Sequence, residues 1–384
     1  MIILFSAVLI IFSFYSLFTQ QKLYYLYFVF LVFLGVLSSI RFSVGTDYFS
    51  YAYIYDQMPL KLSKALNSPL HGEIGFKFLI VLFKNWGLSY QIFLAIFSIT
   101  TLLFLHKILK DYSPIPILSL TIFNHLYYHI YVNSGIRQGL TMVLILYAVT
   151  YYLAKEQYIK FTLFLLLATT IHFSALIALV LIPAEHLFKR LKRTKNQLWL
   201  YLFLVLTAGF ILVANLINLG DRLAQLLPLT IDYRLGTGIN WLAFFSKLIV
   251  FIFISFFYLN DVKEKTRVEN LYFMSFFIGT IIYFVFVTSP MVSRLLDVFT
   301  ITEVVLVPML LYKKNILLDR VLYFYLIVSI TGVFLLKDLE SFAIQQEYYQ
   351  ENMITYRYFT IFNKNKRFIY KPPHRLEKYL PEKY

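Results

Sequence analysis

Residues 2 to 19, IILFSAVLIIFSFYSLFT, and residues 23 to 40, LYYLYFVFLVFLGVLSSI, decide the fold class. Each is an uncharged apolar run close to the ~20 residues that a helix needs to cross the hydrocarbon core of a bilayer. Only Gln20-Gln21-Lys22 separates them, so they read as two membrane spans joined by a tight turn. The rest of the chain has the same character. Of its 384 residues 60% are apolar and 14% charged, where a soluble domain carries about 25% charged residues, and the mean hydropathy is +0.70. The expected fold is all-α and polytopic, with about twelve transmembrane helices. The first run starts at Met1 with no basic segment before it and no small-residue cleavage site, so it reads as a retained span.

Composition narrows the chemistry. The aromatic load is high, with 40 Phe and 32 Tyr, and many of the Tyr sit at the ends of apolar runs, where an amphipathic ring suits the headgroup layer. The absence of Cys excludes disulfides, thiolate metal sites and cysteine nucleophiles. The net charge of +15 suggests nucleic acid in a soluble protein, but here the basic residues fall in short loops and the tail, and positive-inside orientation accounts for the loops without a nucleic-acid partner.

Further spans are expected at about 88 to 105, from Pro114 to His129, from Ser134 to Lys155, and at about 198 to 218, 239 to 259, 271 to 288, 295 to 312 and 321 to 336. The stretch from Phe161 to Phe188 reads as two short spans meeting near His172, which keeps both flanking basic loops on the inner side. The expected organisation is a transmembrane domain over residues 1–336 and a basic, tyrosine-rich tail over 337–384. The domain contains a polar outer loop at 41–75 and an interfacial helix at about 76–86. In that helix Phe76, Leu79, Ile80 and Phe83 lie on one face and Lys77 and Lys84 on another.

This threading brings Arg41, Asp47, Glu73, Arg137, His172, Arg294 and Asp297 to the outer face, where no charge rule places arginines. Ionisable residues at membrane depth are costly and point to function. Arg137 lies in the first turn of a helix for which Ser134 reads as the N-cap, and there the macrodipole disfavours a cation by about 0.3 to 1 kcal/mol. A bound anion reverses that sign, since free amides and a guanidinium converge on phosphate oxygens. Arg294 repeats the arrangement after Ser289-Pro290. The bland counterparts are interfacial snorkelling for Arg137 and an i, i+3 pair with Asp297 for Arg294. Tyr48, Tyr51 and Tyr55 form an aromatic face suited either to sugar rings or to a headgroup belt. Asp47 and Glu73 are candidate bases, or solvated loop carboxylates. His125 and His129 share a helical face without an evident third ligand, so aromatic packing is expected there. No phosphate-binding loop, metal motif or serine nucleophile elbow is found. A reaction on an anionic lipid, without metal or nucleotide, is what remains.

Arg41-Phe42-Ser43-Val44-Gly45-Thr46-Asp47-Tyr48 with Tyr51, then Glu73-Ile74-Gly75-Phe76, Ile136-Arg137-Gln138, His172-Phe173-Ser174-Ala175-Leu176 and Ser293-Arg294 resemble, in this order, the EpsG family of bacterial polysaccharide polymerases, related to Wzy O-antigen polymerases. The resemblance runs from the N-terminus to about residue 312; the tail departs from it. It implies a GT-C-like glycosyltransferase of the bacterial inner membrane with its active site facing out. Such an enzyme polymerises undecaprenyl-pyrophosphate-linked repeat units into O-antigen, capsule or exopolysaccharide, with no cofactor and with a chain-length regulator as a possible partner. Under that reading Arg137 and Arg294, helped by Arg41, hold pyrophosphate and Asp47 or Glu73 is the base. His172 positions substrate, and Tyr48, Tyr51 and Gln138 complete the substrate contacts. The competing classes are a lipid-linked oligosaccharide flippase, and an O-acyltransferase or glycan ligase.

Overall fold

The computed structural model describes residues 1–193, 241–260, 264–287, 296–314, 316–345, 358 and 360–363. These are helical throughout, apart from turns and one isolated bridge between Arg41 and Thr360. Among them, six helices are long and apolar enough to cross a membrane, and two shorter apolar helices accompany these. The protein is a polytopic all-α membrane protein. The expected span at 198 to 218 and the turn carrying Arg294 lie outside the described residues. The chain forms two compact units: Met1–Val143 with Thr169–Phe173 and Ile316–Tyr384, and Leu144–Ala168 with Ser174–Asn315.

In the first unit, α1 (Ile2–Thr19) packs on α7 (Pro116–Phe123) and on the long C-terminal helix α14 (Leu317–Gln345), while α2 (Tyr24–Ile40) packs on α6 (Tyr90–Tyr112) and α7. The buried face of α1 carries Ser6, Ser13 and Ser16, and its exposed face Leu4, Ile11 and Phe18. Without a hydrophobic drive between helices in lipid, small residues that admit close backbones and hydroxyls that bond across the contact do the joining. Ser13 meets Thr121 at 2.8 Å. Beyond Phe123, α7 continues as a wider π-helical stretch, Asn124–Val132. There His125 is not held by aromatic packing alone, since its ring bridges Ser6 at 2.5 Å and Thr331 at 2.9 Å. His129 lies edge-on to Tyr128 with ring centroids 5.0 Å apart.

Helix α14 runs well past residue 336, where the tail was expected to start. Leu335, Leu339 and Phe342 keep an apolar stripe going around Lys337 and Asp338, and pack with Ile2 and Tyr358. The Tyr358 hydroxyl donates to the Leu37 carbonyl at 2.8 Å, so this part of the tail returns to the end of α2.

The second unit is built on α12 (Arg267–Val285), against which α10 (Leu181–Arg193), α11 (Trp241–Asn260) and α13 (Glu303–Tyr312) pack. Thr266 and Glu269 form a capping box at its start. Arg267 pairs with Glu156 and Glu185, and Lys189 reaches the same two carboxylates at 2.8 and 3.0 Å.

Helix α8 (Ile136–Tyr151) begins in the first unit and ends in the second. Helix α9 (Tyr158–Thr169) stops short, residues 170–172 are not helical, and a 3-10 segment, Phe173–Val180, follows. The expected break near His172 is therefore where the helix ends.

Candidate functional site

The site is assembled in the first unit from three segments far apart in sequence. The first is the loop after α2, held by a glycine. Gly45 has φ +98°, and a Cβ there would collide with the Asn133 carbonyl oxygen and lie 2.8 Å from its carbon. Next to it Thr46 Oγ1 meets Ser134 Oγ at 2.5 Å, and the Asp47 N–H donates to the same hydroxyl at 3.2 Å. The Ser134 hydroxyl, read from the sequence as an N-cap, is thus engaged across the interface with Thr46 and Asp47. The half-buried Asp47 also accepts from Thr46 Oγ1 at 3.3 Å and stands before α3 (Tyr48–Gln57).

The second joint links the Glu73-Ile74-Gly75-Phe76 stretch to the break after α9. Gly75 and Phe76 both donate their backbone N–H to the Thr170 carbonyl, at 2.8 and 3.2 Å. In return Glu73 Oε1 accepts the Phe173 N–H at 3.2 Å. Glu73 thus precedes α5 (Ile74–Asn85) and also caps the start of the 3-10 segment. Only glycine fits at 75, because a Cβ would strike Thr170 Oγ1 and come within 2.8 Å of its Cβ and carbonyl oxygen.

Arg137 enters between these joints from the first turn of α8. Its Nη1 pairs with Glu73 Oε2 and its Nε donates to the Tyr51 hydroxyl at 3.3 Å. The guanidinium carbon lies 5.0 Å from the centroid of Phe76 and 5.7 Å from that of Tyr51. Guanidinium planes stack well on aromatic faces, so the fork is fixed by its surroundings. Glu73 supplies the anion that offsets the unfavourable macrodipole at this helix start.

Two imidazoles border the pair. Burial, reinforced by Arg137 and partly opposed by Glu73, holds His71 below the ordinary imidazole range. Burial likewise depresses His172, to about 4, with Glu73 opposing and Arg137 and His71 reinforcing. Both are neutral at neutral pH. Burial raises the Tyr51 phenol, which keeps its proton.

The structure therefore brings together Asp47, Tyr51, Glu73, Arg137 and His172. Tyr48 is buried, with its hydroxyl 3.3 Å from Gln91 Oε1, and Gln138 is buried one residue along α8 from Arg137. Arg41 is not part of the cluster's contacts. It is wholly buried, with Nη1 bonded to the Ser38 carbonyl at 2.5 Å and to Ser98 Oγ at 3.0 Å. Arg294 lies outside the described residues. Lys77, assigned by periodicity to the polar face of its helix, is buried instead, its Nζ donating to the Ser68 carbonyl at 2.8 Å. The helical wheel placed it by its charge, whereas a backbone carbonyl in the preceding loop claims it. His71, one of the polar residues that the loop at 41–75 gathers in the sequence, lies beside the pair. Thr170 was missed as a site residue, since its role is a backbone one that no side-chain pattern reveals.

No match is found among curated protein sequences or among solved structures. The sequence profile of the EpsG family matches residues 23–357, which include all three segments of this site, and the chain belongs to that family of polysaccharide-polymerase-like membrane proteins.

Proposed function

We propose that the protein is a metal- and nucleotide-independent glycosyltransferase of the bacterial inner membrane. In this reading it transfers a growing glycan from undecaprenyl pyrophosphate to a sugar hydroxyl on an incoming lipid-linked repeat unit, at the outer face. The observation that carries the reading is the placement of Arg137. A buried guanidinium at a helix start, stacked on Phe76 and Tyr51, with a carboxylate beside it, is suited to a diphosphate leaving group. A displacement at an anomeric carbon needs a cation for the leaving group and a base for the incoming hydroxyl. Asp47 and Glu73 are the carboxylates at hand, and Tyr51 and His172 border the space where sugar and phosphate meet. Arg294 is proposed as a second cation, and a chain-length regulator as a partner.

The test is a surface-polysaccharide gel from a strain carrying Arg137→Ala at normal protein level. Glycan one repeat long is expected. A normal ladder would refute the reading. Loss of all surface glycan with lipid-linked units held inside the cell would point to a flippase, and normal length with missing decoration to an acyltransferase.

A further inference from the structure

We propose that Glu73 is a placeholder on Arg137: the donor's diphosphate takes its place, and the displaced carboxylate becomes the base of the transfer. This rests on the glycosyltransferase reading above and chooses between its two candidate carboxylates.

The exposures of the pair set the geometry. The side chain of Arg137 is 5% exposed and that of Glu73 24%, so the carboxylate is the more accessible member of the pair. An anion arriving from outside meets Glu73 first. Arg137 does not depend on Glu73 for its position, since Phe76, Tyr51 and the Tyr51 hydroxyl hold the fork. Glu73 does not depend wholly on Arg137 either. Its Oε1 keeps the Phe173 N–H and its backbone is tied to the start of α5, where the Lys77 N–H reaches its carbonyl at 3.0 Å. Exchange therefore costs one contact and leaves both partners in place.

The exchange also changes the chemistry of Glu73. While the pair is intact, Glu73 Oε2 is taken by the Arg137 guanidinium and Oε1 by the Phe173 N–H. Once a diphosphate occupies Arg137, Oε2 is free to accept the proton of an incoming hydroxyl. The groups around it do not recapture the charge: His71 and His172 are neutral, Tyr51 keeps its proton, and Lys77 is engaged with Ser68. Asp47 is half-buried and bonded to Thr46, and among the described residues no arginine pairs with it. In the step itself the acceptor O–H gives its proton to Glu73 and its oxygen bonds to the donor's anomeric carbon. The bond from that carbon to the diphosphate oxygen breaks, and the electron pair leaves on the lipid diphosphate held by Arg137. Glu73 then releases the proton to water and returns to Arg137 as the diphosphate departs.

The full-length protein in nanodiscs, titrated with farnesyl diphosphate, tests this. Glu73→Gln is expected to bind the probe about tenfold more tightly than the wild type, because the competing anion is gone, while supporting no chain growth in cells; Arg137→Ala is expected to lose binding. Unchanged or weaker binding by a folded Glu73→Gln variant makes the pair a fixed strut and overturns the proposal. So does normal chain growth in that strain. Absence of probe binding by the wild type and every variant would remove the lipid-diphosphate reading as well, which separates the two failures. Should Glu73→Gln not fold, carbodiimide labelling of the wild type answers instead. Modification of Glu73 is expected to rise when farnesyl diphosphate is added, and no rise or protection overturns the exchange.

Discussion

Gly75→Ala is a demanding test of how the site is held. The added methyl would strike Thr170 Oγ1 and lie 2.8 Å from both the Thr170 Cβ and its carbonyl oxygen, closer than side-chain carbons approach in folded proteins. Two of these atoms cannot rotate away, so the segment at 170–173 has to shift. That shift stretches the bonds from Gly75 and Phe76 to Thr170 and the bond from Phe173 to Glu73. With about 0.6 to 1.5 kcal/mol for each of the three bonds and about 1 to 3 kcal/mol for the overpacking, a loss of roughly 3 to 7 kcal/mol is expected. The Glu73 carboxylate moves with the segment, so chain growth is expected to fail even in protein that remains folded. Thermal unfolding in detergent, followed by fluorescence-detected gel filtration, measures the first effect and a polysaccharide ladder the second. Thr170→Gly in the same chain removes the Oγ1 and Cβ contacts but leaves the carbonyl, so it should restore stability in part. A Gly75→Ala variant with wild-type melting and a wild-type ladder would refute the close contact and, with it, the account of why this position is glycine.

Other expectations concern separate parts of the fold. Ser134→Ala removes the hydroxyl shared by Thr46 and the Asp47 amide, and is expected to cost about 1 to 3 kcal/mol in the same melting assay; Gly45→Ala, opposed by its φ of +98° and by Asn133, should cost at least as much. Because His71 and His172 are depressed in the folded state, the unfolded chain binds more protons between the two sets of values. Stability is therefore complete above about pH 6.5 and falls as the pH drops towards the folded value, which for His172 is about 4. His172→Gln should flatten the melting temperature over that window. In the second unit, Arg267→Ala leaves the buried Glu185 with Lys189 at 3.0 Å as its remaining cation, and a loss of about 1 to 3 kcal/mol is expected. Adding Lys189→Ala should cost more than the two changes taken separately, which a double-mutant cycle reads directly.

The membrane class was legible because it needs only long apolar runs, and the paired runs at 2–19 and 23–40 appear in the structure as α1 and α2 almost residue for residue. Arg137 was legible for a different reason. A cation at a helix start sits against the dipole, and such a misfit points to an anion without naming it. The anion present is Glu73, 64 positions away, and pairing at that distance depends on the path of the loop, which no local pattern encodes. Ser134 shows the same limit from the other side, since a serine before a helix looks alike whether its hydroxyl caps that helix or reaches another segment. At the C-terminal end, Lys337 and Asp338 interrupt the hydropathy that marks a span, but the stripe of Leu335, Leu339 and Phe342 is a packing pattern and carries α14 on to Gln345.

The glycines make the connection between sequence and site. Taken singly, Gly45 and Gly75 are turn residues beside motifs that any loop might contain. In the fold each lies against the backbone of a segment about 90 positions away, Gly45 against Asn133 and Gly75 against Thr170, and each is followed or preceded within two residues by a carboxylate of the site. The close approach fixes where Asp47 and Glu73 stand, and Arg137 enters between them from the helix that begins three residues after Asn133. A site fixed in this way places its two carboxylates by backbone contact and not by charge. These contacts keep Glu73 in place whichever anion Arg137 holds, as the proposed exchange with the donor's diphosphate requires.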